Sequence, residues 1–313
     1  MRIGAHVSVQ GNYEKMYEYA KSVGCECAQI FAKNAKQYRY SKPKPERLSQ
    51  MSKVHEEDPG FAVYSHTAYL INLSSLDPEI RGKSTEALAG ELALASMFGL
   101  AGVNTHVGND KGKNETEAAE RAADSIRTAH DRADDLLASW VLDDGLVPAA
   151  RICEDGLPAV PPLILEDAAG AGDLYGCTIS QLSDILDIVW GEGFSKGDAR
   201  LGTGICIDTC HAWAQGYDVS SAAGWDKVLD EVDERIGLDH LLLIHANDSK
   251  FGMGEHKDRH EWVGEGCIGP EGFSYIMSCG RASCADVILE VPGEVPYKDE
   301  RNIEVLKEMR DSR

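Results

Sequence analysis

The chain has 313 residues, 43% of them hydrophobic, enough to build one large core or two ordinary ones. It contains no apolar run of about 18 residues, which excludes a helical membrane span, and its opening MRIGAHVS lacks the basic-then-apolar pattern of a secretory leader, so a cytoplasmic protein is expected. The net charge of −21 weighs against a nucleic-acid partner unless cations are concentrated locally.

Along the chain, short β-rich runs alternate with longer amphipathic stretches. Strands are predicted at 2–7, 27–31, 62–65, 102–106, 162–166, 204–208, 240–245 and 286–290. Between them lie helical patterns such as 12–23, 84–98, 115–138, 179–189 and 225–236, with 302–309 closing the chain; the first places Tyr13, Met16, Tyr17, Ala20 and Val23 on one face. Eight strand–helix units without a break in composition predict an α/β fold, a single (β/α)8 TIM barrel over 1–313. A doubly wound open sheet is the alternative, but no GxGxxG follows the first strand. Two stretches read as inserted loops, 139–161 and 190–203. Both connect a helix to the next strand, which in a barrel places them on the N-terminal face, away from the chemistry.

Nine cysteines, none in a CxxC pair, read as reduced and mostly buried thiols rather than disulfides or zinc thiolates. Charge is distributed unevenly. From Cys27 to Pro45 there is no acidic residue, whereas Lys33, Lys36, Arg39, Lys42 and Lys44 all fall there with Phe31, Tyr38 and Tyr40 among them. Such a stripe can grip a phosphate backbone even on an acidic protein; a solvated lysine-rich loop accounts for the charge equally well.

In a TIM barrel the chemistry sits at the C-terminal ends of the strands. Here those ends repeatedly carry metal-ligand types: His66 on the third strand, His106 on the fourth, Glu166 on the fifth, Asp208 with nearby His211 on the sixth, His245 on the seventh and Glu290 on the eighth. A loop after the seventh adds Asp258 and His260. One histidine near a strand end is more often a packing residue than a ligand, but six consecutive strands repeating the switch from apolar to ligand is a pattern. Five imidazoles and four carboxylates suit zinc, and manganese or iron could take the same donors. They are too many for one ion of four or five ligands and suit a cluster of three. Clustered divalent ions stabilise the attacking and leaving oxygens of phosphoryl displacement, so phosphodiester hydrolysis is the expected chemistry.

With those residues in view, the chain resembles the endonuclease IV type of apurinic/apyrimidinic endonuclease, from Ile3-Gly4-Ala5-His6-Val7-Ser8 to Ile288-Leu289-Glu290. The most specific pieces are CIDTCH at 206–211 followed by Gly216-Tyr217-Asp218, HANDSK at 245–250, Asp258-Arg259-His260, and Gly264-Glu265-Gly266. The resemblance implies a xylose-isomerase-like barrel and a monomer that cuts duplex DNA 5′ to abasic sites in base excision repair, leaving a 3′-hydroxyl. It also implies three Zn2+. The first would be held by His66, His106 and Glu166, the second by Glu166, Asp208, His245 and Glu290, the third by His211, Asp258 and His260. Glu166 and Glu290 are the expected catalytic carboxylates. Tyr69 and Leu70 match the residues that enter the DNA stack around a flipped-out nucleotide, and Lys33, Asn34 and Lys36 belong to the loop that contacts the minor groove. Two positions depart from the family: Lys36 stands where an arginine is usual, losing a planar fork of donors, and Asp167 where asparagine is common.

Two other functions fit part of the pattern. A sugar isomerase or epimerase with one metal would need only the Glu166, Asp208, His245 and Glu290 subset, and leaves five ligands and the basic loop unexplained. A metal-loaded binder of DNA lesions would use the same surface without cutting. His6 is expected to line the pocket without ligating, Cys206 to fill the barrel interior, and His55, His130, His240 and His256 to be surface or packing residues.

Overall fold

The computed structural model describes residues 1–112, 114–191 and 202–312. Eight parallel strands close into a barrel in sequential order: β1 (Ile3–His6), β2 (Cys27–Ile30), β3 (Ala62–His66), β4 (Gly102–His106), β5 (Leu163–Glu166), β6 (Thr203–Asp208), β7 (Leu241–His245) and β8 (Asp286–Leu289). Closure is made by β1 against β8, with Ile3 opposite Val287 and Ala5 opposite Leu289. The helices are α1 (Tyr13–Ser22), α2 (Pro45–Glu57), α3 (Pro78–Phe98), α4 (Glu115–Ala138), α5 (Ile179–Trp190), α6 (Thr209–Gln215), α7 (Ala222–Arg235), α8 (Pro270–Ser278) and α9 (Tyr297–Asp311). No helix among the described residues is long and apolar enough to cross a membrane.

Strand parity divides the apolar residues into two cores. Cys27, Tyr64, Ile164, Cys206, Leu243 and Ile288 point inward and fill the barrel, while the alternate set packs against the helices. Two residues further along the inward parity, the same six strands carry Gln29, His66, Glu166, Asp208, His245 and Glu290. The site is therefore the next layer of the barrel interior above an apolar floor. At the opposite end, Asp286 accepts hydrogen bonds from the Tyr64 hydroxyl at 2.7 Å and from Arg2 Nη2 at 2.6 Å.

The helices start where the chain supplies a cap. Asn12, Asp77, Asn114, Thr178 and Ser221 each accept from a first-turn N–H of α1, α3, α4, α5 and α7. α3 begins at Pro78, six residues before the periodicity suggests, because the Asp77 cap and Pro78 organise a polar first turn that carries no apolar pattern. The stretch 139–161 contains a wide turn of π type at Ser139–Asp143 and an isolated bridge between Ile152 and Pro158. It packs against the end of α3, where Ala149 N donates to Met97 O at 2.8 Å. The second inserted stretch, 190–203, lies outside the described residues except at its ends.

Candidate metal centre

Six strand ends, α6 and the loop after β7 bring the nine sequence-predicted ligands into three adjoining sets. In each set the ligand atoms lie within 4.8 Å of one another, a spread that accommodates the donor spacing of about 3–4 Å expected around zinc. His66 Nε2 and His106 Nε2 approach Glu166 Oε2 at 3.2 and 3.7 Å. The other oxygen of the same carboxylate, Oε1, faces His245 Nδ1 at 3.1 Å, and that nitrogen also looks toward Glu290 Oε2 at 3.5 Å and Asp208 Oδ2 at 3.9 Å. Asp258 receives His211 Nε2 at 3.5 Å and His260 Nε2 at 3.2 Å. Glu166 thus presents one oxygen to the first set and the other to the second, the geometry of a bridging carboxylate.

The far sides of the rings support the same assignment. His66 Nδ1 donates to Thr67 O at 2.8 Å, His211 Nδ1 to Asp167 O at 3.1 Å, His260 Nδ1 to Glu290 O at 3.1 Å, and His245 Nε2 to Gln29 Oε1 at 3.1 Å. An imidazole whose outer N–H is held by an oxygen keeps its inner nitrogen aimed as a ligand. His106 Nδ1 is buried without a hydrogen-bond partner. The donor set fits divalent ions. A further grouping of Asp208, Cys210 and His260 also satisfies the distances, and without an ion burial pushes the Cys210 thiol up to about 12.

Three uncharged residues outside the predicted ligand set orient these ligands. Gln29 donates to Glu290 Oε1 at 2.8 Å while accepting from His245. Asn104 donates to Glu166 Oε2 at 2.5 Å. Asn247 donates to Asp208 Oδ2 at 2.7 Å and accepts from Glu290 N at 2.8 Å. Inward parity at a strand end is the signal that would have found Gln29 and Asn104. His6, expected only to line the pocket, also lies 2.9 Å from Glu290 Oε1. Asp167 accepts from the backbone N–H of Asp208 at 2.7 Å.

The Gly264-Glu265-Gly266 motif owes its shape to Asp248. This buried carboxylate accepts from the backbone N–H groups of Ser249, Gly264, Gly266, Ile268 and Gly269. A Cβ on Gly266 would sit 2.5 Å from Asp248 Oδ1, so the turn can close only on glycine. The folded loop pairs Ser249 with His260 and so presents the third ligand set.

A cleft of about 900 Å³ opens over the cluster, and Tyr69 and Leu70 stand at its edge, 67% and 41% exposed. Their segment is tied to the basic loop by Tyr69 N donating to Ala35 O and the Tyr38 hydroxyl to Leu70 O. Asn34 and Lys36 are exposed, and Asn34 Oδ1 accepts from Lys36 N at 2.9 Å. Lys33 differs from the expectation of a surface cation. Its side chain is 7% exposed, pairs with Glu91 at 3.3 Å and donates to Gln37 O at 2.6 Å, so it holds the loop from inside.

A family model described as a xylose isomerase-like TIM barrel matches residues 17–309. A probable endonuclease 4 of Methanoculleus marisnigri is 33% identical over 321 residues, covering 98% of both chains, and one of Solibacter usitatus is 31% identical, covering 100% of this chain and 98% of its own. The crystal structure of endonuclease IV from Thermus thermophilus superposes with a TM-score of 0.79 at 27% identity over the whole of both chains. The chain belongs to the endonuclease IV family. A D-tagatose 3-epimerase-like protein, at 15% identity and a TM-score of 0.67 over 99% of this chain and 97% of its own, shares the fold alone.

Electrostatics in this endonuclease IV centre follow from packing acids and imidazoles together out of water. Burial pushes the Glu166 carboxyl up, but His106, His245 and His66 outweigh it and hold the group well below its ordinary value. Burial favours the neutral form of His245 and His211 as well, yet the surrounding acids hold both well above 6.5. Burial likewise lowers His260, and Asp208 and Asp258 reverse it, raising the ring to about 9. Without ions, protons on these rings balance the carboxylates; ions must displace them.

The sign of the pH dependence follows. A raised folded-state value means that the His260 proton contributes stability fully below about pH 6.5, lost as pH rises to about 9. Metal-stripped protein is expected to melt at least about 2–4 °C lower at pH 9 than at pH 6.5, and added zinc to stabilise more at pH 9 than at pH 6.5; thermal scans at the two pH values check both. Asp248→Asn, which turns an acceptor of five N–H groups into a partial donor, is expected to lower the metal content by about one ion per chain while the first two sets stay loaded. Elemental analysis of the purified variant reads this directly.

Proposed function

We propose that this protein is a metal-dependent DNA-repair endonuclease that hydrolyses the phosphodiester 5′ to abasic sites in duplex DNA, leaving a 3′-hydroxyl. The observation that carries the reading is the pair of oxygens of Glu166, one turned to His66 and His106 and the other to His245, beneath a cleft whose rim exposes Tyr69 and Leu70. Three Zn2+, or manganese or iron in some positions, would supply Lewis-acid stabilisation of charge developing on the scissile phosphate and ionise water near neutral pH.

The chain's own residues supply recognition and orientation. Tyr69 and Leu70 offer an aromatic face and an apolar wedge for the gap left by an extruded nucleotide, and a nucleotide without its base forfeits little stacking on leaving the helix. Lys36 and Asn34 reach the backbone beside it, and Lys33 orders their loop from within. Glu166 and Glu290 are the proposed catalytic carboxylates. Gln29 and His6 hold one oxygen of Glu290, leaving Oε2 turned toward His245 and the shared centre.

Purified protein is expected to nick an abasic duplex on the 5′ side, to stop when a chelator strips it, and to recover with zinc. Glu166→Gln should lower cutting by more than about a hundredfold, since even an outer partner of a metal ligand can be worth that much, while duplex binding through the rim persists; cutting at the parent rate would remove Glu166 from its bridging role. Lys36→Ala should flatten the dependence of log affinity on log salt by about 0.9, one phosphate contact on duplex DNA. Filter binding at several salt concentrations measures the slope, and an unchanged slope takes Lys36 out of the interface.

A further inference from the structure

The basic loop after β2 is irregular, yet it is fastened at two points to the same stretch of α3. The first is Lys33 on Glu91, whose Oε1 also accepts from Ala68 N at 3.3 Å, so one buried carboxylate ties together the basic loop and the segment leading to Tyr69. The second is Tyr40. Its ring lies on Gly90, where a Cβ would come within 2.3 Å of the ring carbons, so only glycine admits it. Glycine in the middle of a helix costs about 1 kcal/mol relative to alanine, and the seated ring accounts for its presence. The Tyr40 hydroxyl donates to Glu86, which Arg132 of α4 also holds at 3.3 Å. Trp140, in the wide turn that begins the inserted stretch 139–161, faces the Tyr40 ring at 6.4 Å between centroids, and Asp144 pairs with Lys42 at 3.1 Å. The insertion, read from sequence as remote from the chemistry, thus touches the loop that carries Lys36.

We propose that Tyr40, seated on Gly90 and walled by Trp140, is a positioning residue that keeps the basic loop in one conformation, so that Lys36 meets the DNA backbone from an already ordered loop. The claim rests on the reading of this face as a DNA-cutting site. Lys36 lies between the two fastenings to α3; with the Tyr40 end freed, the 34–39 segment keeps only Lys33 and the bonds of Ala35 O and the Tyr38 hydroxyl to the Tyr69–Leu70 segment, and samples other conformations that binding must then restrict.

The test compares full-length, metal-loaded parent with Tyr40→Ala and Tyr40→Phe. In Tyr40→Ala, amide hydrogen exchange across 34–39 is expected to accelerate by about tenfold. The KM for an abasic duplex should rise by about tenfold, with kcat within roughly twofold of the parent and the metal content unchanged. Tyr40→Phe, which keeps the ring and loses only the hydroxyl, should restore most of both. If Tyr40→Ala does not fold, Gly90→Ala serves: its methyl group evicts the ring while favouring the helix, and the same changes are expected. Unchanged exchange in the folded variant overturns the fastening. Accelerated exchange with an unchanged KM overturns the positioning role, as does a fall in kcat alone. A parent that does not nick the abasic duplex overturns the functional reading and the positioning role with it, and the exchange data then decide separately whether Tyr40 fastens the loop.

Discussion

Everything at the mouth of the barrel follows from crowding Glu166, Asp208, Glu290 and Asp258 around one centre with five imidazoles, mostly out of water. Carboxylates gathered in a low-dielectric site repel one another and each has lost hydration, a cost that only protons or bound cations close by can offset. Protons do so partially, by occupying His211, His245 and His260. Divalent ions do it better, because each satisfies several oxygens and nitrogens at once. The six strand-borne ligands cannot relax apart, since their strands are joined in register around a closed barrel, and Gln29, Asn104 and Asn247 hold Glu290, Glu166 and Asp208 in place.

How much of this was legible in the sequence depends on whether the information is local. Strand positions were, because the apolar runs end in polar residues at each barrel mouth; β4 matches its predicted bounds and β2 ends one residue early. The ligands were legible for the same reason, since imidazole or carboxylate after an apolar run has few ordinary explanations when repeated around a barrel. Amides gave no such signal. Gln29 and Asn104 look like any polar residue near a strand end until parity shows that both point into the barrel, where they reach Glu290 and Glu166. α2 escaped because its buried residues, Leu48, Met51 and Val54, are sparse along 13 residues, and α6 because its cap, Asp208, reads first as a ligand. The burial of Lys33 was not legible because its partner, Glu91, lies on α3, far along the chain, and nothing near Lys33 in the sequence announces it.

The barrel by itself does not separate a nuclease from a sugar epimerase, and the epimerase-like neighbour shares the fold at 15% identity. The second ligand set, Glu166, Asp208, His245 and Glu290, comes entirely from strand ends and would serve a single ion in either chemistry. The difference lies in what surrounds it. His66 and His106 extend the centre toward β3 and β4, while His211, Asp258 and His260 come from α6 and the loop fastened by Asp248. Carbonyl chemistry on a sugar has no use for this additional ligand field, whereas displacement at a phosphate has charge to stabilise on both entering and leaving oxygens.

An overall charge of −21 and a DNA substrate are compatible once the field is resolved by place. The acidic body opposes the approach of a polyanion, and local cations such as the exposed Lys36 offset that repulsion where they stand. Sequence-independent binding elsewhere on the protein is thereby weakened, because it depends on the number of phosphates neutralised. Under the proposed function the cleft would take a duplex that bends into it and offers a nucleotide, and an abasic site is where a duplex resists such extrusion least. On such a protein a loosened basic loop is costly, because each phosphate contact it fails to make must be recovered against a net negative charge.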